Sequence, residues 1–157
     1  MAISYIVSME ELKVLAAMAN ADSFEWLPEL PAIDQKRYDE LLGILDTNGM
    51  VKVSKNKGAA YVDMAVCFII STMANPELVI RTAAGAVGYC TKQLGVVVCP
   101  DKRAKDKFRI TPLPDARAMA EKLWEYLAGE EPGYTEADLL KKISEVYVIN
   151  QSLEAGA

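Results

Sequence analysis

The stretch from Asp34 to Asp63 constrains this chain more than any other, because its apolar period changes inside one short segment. Over DQKRYDELLGILDTNG, Tyr38, Leu41, Leu42 and Leu45 recur at helical spacing and Gly49 stops the helix. Met50-Val51-Lys52-Val53 then alternates, Lys55-Asn56-Lys57-Gly58 turns the chain, and Ala60-Tyr61-Val62 returns it as a second strand. Helix, glycine stop and hairpin therefore follow one another with no room for another element between them.

This order is how a winged-helix domain ends, and such domains bind either DNA or other proteins. Ahead of it, Ile3–Val7 suits a short strand. Ser8 with Glu11 three residues later forms a capping box for a helix running to about Ala21, with Leu12, Leu15, Ala16 and Ala19 on one face. The segment FEWLPELPAI, between Asp22 and Ile33, holds Pro28 and Pro31 and allows a loop with at most one short turn. After the hairpin, Asp63 caps MAVCFIISTMAN, which Pro76 closes. That run is apolar on every side, which predicts a buried helix, with a buried strand as the competing reading.

From Glu77 onward the pattern becomes strand-like. Residues 78–82, 87–92, 96–99 and 108–111 are short apolar pieces separated by glycines or polar turns, which predicts an antiparallel meander. Asp115 opens a helix striped with Met119, Ala120, Leu123, Trp124 and Leu127. Gly129–Gly133 ends it, and Thr135 starts a last helix carrying Leu139, Ile143, Val146 and Tyr147. The expected fold is α+β: a winged-helix-like half (1–76) packed on an antiparallel sheet of about four strands with two C-terminal helices (77–157), the two halves forming one compact unit.

Composition excludes several functions. Of 157 residues, 52% are hydrophobic and 25% charged, so the chain has the apolar content to bury a core. Histidine is absent, which removes the commonest general base and neutral metal ligand. The three cysteines (Cys67, Cys90, Cys99) lack short metal-binding spacing, although Cys90 and Cys99 could face each other across a hairpin turning near Leu94-Gly95. The close carboxylate pairs fall at helix starts, on a polar helix face or in a loop. Gly85-Ala-Val-Gly88 lacks the lysine and helix cap of a phosphate loop and reads as a turn. No catalytic residue, metal site or cofactor is expected, and the chain is read as non-enzymatic. No signal peptide or membrane-spanning run is seen, so a cytoplasmic protein with reduced thiols, not inserted in a membrane, is expected.

Two partner surfaces suggest themselves. For DNA, the helix Asp34–Asn48 would present Gln35, Lys36 and Arg37, and the wing Lys52, Lys55 and Lys57. Against this, the net charge is −5 and residues 1–76 hold ten acidic and six basic residues, a poor footprint for phosphate. For a protein partner, the one basic cluster is DKRAKDK (Asp101–Lys107), where Lys102, Arg103 and Lys105 could steer an acidic surface; its plainer reading is a solvated hairpin loop. Trp26, in the proline loop, either caps the core or stands exposed as a contact anchor. The candidate binding residues are therefore Lys102, Arg103, Lys105 and Trp26. Self-association stays open.

The layout also resembles the type VII (ESX) secretion chaperones of the EspG kind. The early helix SMEELKVLAAMAN, the second helix and strand LLGILDTNGMVKV, the apolar helix AVCFIISTMANP, and the sheet that begins PELVIRT and ends RITPLPDARAMAEKL follow the order of parts in that family. The resemblance spans most of Ser8–Leu127. It implies a cytosolic, non-enzymatic chaperone or adaptor that holds a helical secreted protein, with a DNA-binding regulator as the alternative reading of the winged half.

Overall fold

Caps and glycines set most element boundaries in the computed structural model, which describes residues 4–54, 59–82, 85–101, 103–104 and 106–127, together with 137 and 141. Strand β1 (Tyr5–Ser8) runs directly into helix α1 (Met9–Met18). At that junction the Ser8 hydroxyl accepts from the Glu11 amide at 3.1 Å and the Glu11 carboxylate accepts from the Ser8 amide at 2.8 Å, closing the capping box. The helix stops short of Ala21 because Asn20 takes a left-handed φ of 58°, which lets the Ala21 amide fold back onto the Ala16 carbonyl at 2.8 Å.

Helix α2 (Gln35–Thr47) starts where the Asp34 carboxylate accepts the Arg37 amide at 2.8 Å. It ends at Gly49, whose φ of 78° suits glycine, and the Met50 amide caps the Leu45 carbonyl at 3.0 Å. Strands β2 (Val51–Ser54) and β3 (Ala59–Val62) pair antiparallel with Val51 opposite Val62. The Asp46 carboxylate of α2 accepts the Val53 amide at 3.3 Å, tying helix to hairpin. The expected turn Lys55–Gly58 lies outside the described residues.

Helix α3 (Met64–Ala74) confirms helix over strand, since Asp63 caps it through the Ala65 amide at 3.2 Å. Its expected burial on all sides is wrong. Val66, Ile69, Ile70 and Met73 point inward, but Met64 is 76% and Phe68 61% exposed, and Cys67 and Ser71 are exposed beside them. A helix lying on one surface covers about half its circumference, so an all-apolar run leaves an apolar outer face unless a second layer covers it.

Strands β4 (Leu78–Arg81), β5 (Val87–Cys90), β6 (Gly95–Pro100) and β7 (Lys107–Leu113) form the expected meander. The sheet nevertheless has five strands, in the order β1-β7-β6-β5-β4, because β1 pairs antiparallel with β7, Tyr5 opposite Ile110. The period of two divides the sheet cleanly. Val79, Val87, Tyr89, Val96, Val98 and Ile110 face one core shared with α1, α2 and α3. Leu78, Ile80, Cys90, Val97 and Cys99 face the other, under helix α4 (Ala116–Leu127) with Met119, Ala120 and Leu123. Glycines let α4 come close: a methyl at Gly95 would stand 2.8 Å from Met119 Cβ and 3.0 Å from the Asp115 carbonyl oxygen. The possible Cys90–Cys99 bridge is ruled out. Register places Cys90 opposite Gly95 and Cys99 opposite Arg109, so the pair is about 13 Å out of step along the strands. Of the last expected helix only Ala137 and Lys141 are described, both helical and exposed.

Candidate functional site

The outer face of α3 borders a groove. Beside it, a hollow of about 440 Å³ is walled by Ala65, Phe68 and Ile69 from the helix, by Tyr5 and Pro112 from the sheet and by Leu94 from the β5–β6 turn. A second hollow of about 400 Å³ shares Phe68 and Thr72 and adds Ser71, Glu77 and Lys92, giving the groove a polar end. Phe68 therefore stands between an apolar trough and a charged one, at the end of the sheet where the Thr91–Leu94 turn joins β5 to β6. Exposed aromatic and sulfur-bearing side chains on a helix, flanked by a trough, are the parts from which grooves for amphipathic helices are built. Sequence reading missed this face because uniform apolarity signalled burial. The usable signal was arithmetic: among the described residues one helical layer lies on that side of the sheet, and a single layer leaves the outer side of α3 uncovered.

Trp26 stands exposed and does not cap the core. It is 57% exposed, and the Arg81 guanidinium stacks over its ring 4.6 Å from the centroid. Its backbone φ of 65° is strained for a bulky residue. The neighbours hold it there: Phe24 and Leu30 anchor the proline loop in the core, and the Tyr89 hydroxyl donates to the Glu25 carbonyl at 2.5 Å. Burial, and after it the nearby Glu25 carboxylate, push the Tyr89 phenol upward, so it remains a donor at neutral pH.

The basic cluster connects β6 to β7, as its hairpin reading required. Asp101 turns inward to meet Arg109 at 3.3 Å, while the Asp101 amide donates to the Lys107 carbonyl at 2.9 Å. Arg103 is exposed; Lys102 and Lys105 lie outside the described residues. This loop and Trp26 share one end of the sheet, because Arg81 under Trp26 lies opposite Val87, and Val87 opposite Val98, two residues before β6 ends at Pro100.

Of the polar residues at the start of α2, Arg37 and Gln35 are engaged within the chain. Arg37 pairs with Glu10 at 2.9 Å and with Glu40 at 3.1 Å, and its hydrogen bonds hold the Glu10 carboxyl below the usual carboxylate range while raising its own pKa. Gln35 donates to Asp39 at 2.9 Å. Among the described residues no group of three or more Cys, Asp or Glu side chains is placed to hold a metal ion, and no helix is long and apolar enough to cross a membrane. No protein-family model matches this sequence, and no curated protein matches it.

Proposed function

We propose that the protein is a non-enzymatic binding protein, a chaperone or adaptor that holds an amphipathic helix of a partner against α3. The observation that carries this reading is the outer face of α3, with Met64 and Phe68 mostly in water beside an apolar trough. A monomeric protein rarely exposes such side chains together unless something covers them. The resemblance to the EspG kind of secretion chaperone gives the partner class: a small helical secreted protein, held in the cytosol before export. The DNA-binding alternative draws less support, since Arg37 is committed to Glu10 and Glu40.

The test is co-expression with each small protein of helical sequence pattern that its neighbouring genes prove to encode, followed by size-exclusion chromatography. A stable complex is expected, lost on Phe68→Glu, which should change stability by less than about 0.5 kcal/mol because the side chain is exposed. Alkylation of Cys67, on the same face, should slow in the complex. Binding that survives Phe68→Glu with Cys67 still reactive would refute the α3 site.

A further inference from the structure

The second surface lies at the opposite end of the sheet and is built differently. Strand β4 is an edge strand, paired on one side with β5. The Thr82 amide donates to the Ala86 carbonyl at 2.9 Å, which fixes the parity of the ladder: alternate residues Leu78 and Ile80 also turn their backbone groups toward β5. The amide and carbonyl of Val79 and Arg81 therefore point outward, and among the described residues no strand pairs with that side of β4. An edge of this kind is a template for another strand.

What distinguishes this edge is the pair at its end. Arg81 stacks on Trp26 and has no carboxylate partner among the described residues. Stacking fixes the guanidinium plane and leaves its donors available, which is how arginine is prepared for a carboxylate. Trp26 is large, exposed and held at a strained φ, three costs that a merely structural residue in a loop has no reason to carry. Arg103, exposed on the neighbouring β6–β7 connection, and Lys107, exposed at the start of β7, add positive charge at the same end, offset in part by the exposed Asp106 between them. Asp22, Glu25 and Glu29 are exposed on the proline loop beside Trp26 and repel a run of acidic residues. A single carboxylate meets Arg81 without that penalty.

We propose that the outer edge of β4 takes an extended segment of a partner protein by strand addition, with one Asp or Glu of that segment on Arg81 and an apolar neighbour on the Trp26 ring. The occupant is extended where the α3 groove takes a helix, and the site does not depend on that groove. Main-chain hydrogen bonds to Val79 and Arg81 give affinity, and the Trp26–Arg81 pair gives register.

The experiment is selection of a random linear peptide library displayed on phage against the full-length protein, with Arg81→Ala protein as counter-selection. An enriched peptide, synthesised with a fluorescein label, is then titrated with the protein by fluorescence polarisation. Enriched sequences should carry one carboxylate within a β-branched stretch. Arg81→Ala and Trp26→Ala should each weaken binding about tenfold or more, Arg81→Lys should weaken it less, and Phe68→Glu should leave it unchanged. Trp26→Gly, which suits the left-handed backbone, replaces Trp26→Ala if that variant does not fold. Absence of enrichment, or binding indifferent to Arg81 and Trp26, overturns the proposal. Loss on Phe68→Glu would move the peptide to α3 and overturn it while leaving the helix-binding reading intact. A dimer in sedimentation that Arg81→Ala dissolves would make a second copy the occupant, and overturns it as well.

Discussion

Cys67, Cys90 and Cys99 show how far residue type alone goes. All three are thiols, but Cys67 is exposed on α3, whereas Cys90 and Cys99 lie under α4. Thiolate access governs alkylation, so native protein should modify rapidly at Cys67 alone and denatured protein at all three; two fast thiols before denaturation would contradict the packing of α4. Glu10 and Arg37 make a pH prediction. The Arg37 hydrogen bond holds the folded Glu10 carboxyl below its ordinary value of 4.5. A carboxylate depressed in the fold stabilises it above the unfolded pKa and loses that contribution as pH falls through the folded pKa. The melting-temperature gap between the native protein and Glu10→Gln should therefore be present at neutral pH and close in acid, as pH falls below the ordinary value of 4.5 and through the lowered folded one. Both groups are well exposed, so the gap should also shrink with salt. None of this pairing was legible in the sequence, since Glu10 and Arg37 lie on different helices and only the crossing of α1 and α2 joins them.

Among the elements, α4 and α3 contrast. Helix α4 has polar and apolar faces, and Met119, Ala120 and Leu123 went where the stripe pointed. The sheet beneath it is trimmed to fit, and the two glycines under it are not equivalent. A methyl at Gly88 would meet the flexible ends of Leu123, 2.6 Å from its Cδ1, and of Met119. At Gly95 it would meet Met119 Cβ and the Asp115 carbonyl, which move only with the backbone. Gly95→Ala should therefore cost about 1–3 kcal/mol in urea unfolding, and Gly88→Ala less; the reverse order would mean that α4 is not seated as described. Helix α3 lacks polar marks to orient it, so its sequence favoured a helix over a strand without saying which side faces water.

At the scale of the whole molecule, β1 ties the halves together. It precedes the helical half in sequence but completes the sheet beside β7, and α1, α2 and α3 share a core with Tyr89, Val96, Val98 and Ile110. Such sharing predicts one cooperative transition: far-ultraviolet circular dichroism and tryptophan fluorescence should report the same urea midpoint. Leu45→Ala, in the helical half, should lower that midpoint for both probes by about 2–5 kcal/mol in stability, and separate midpoints would show that the halves unfold independently. The amino-acid sequence by itself determined the α+β class, the capping box at Ser8, the stop at Gly49, the four-strand meander and the α4 stripe. Those features depend on contacts within a few residues, on backbone freedom at glycine and on the period of apolar side chains. The tertiary structure alone decided that β1 joins the sheet, that Arg81 meets Trp26 and that the outer face of α3 stays in water. These outcomes depend on which surfaces meet across long separations in the chain, and local propensity carries no term for them.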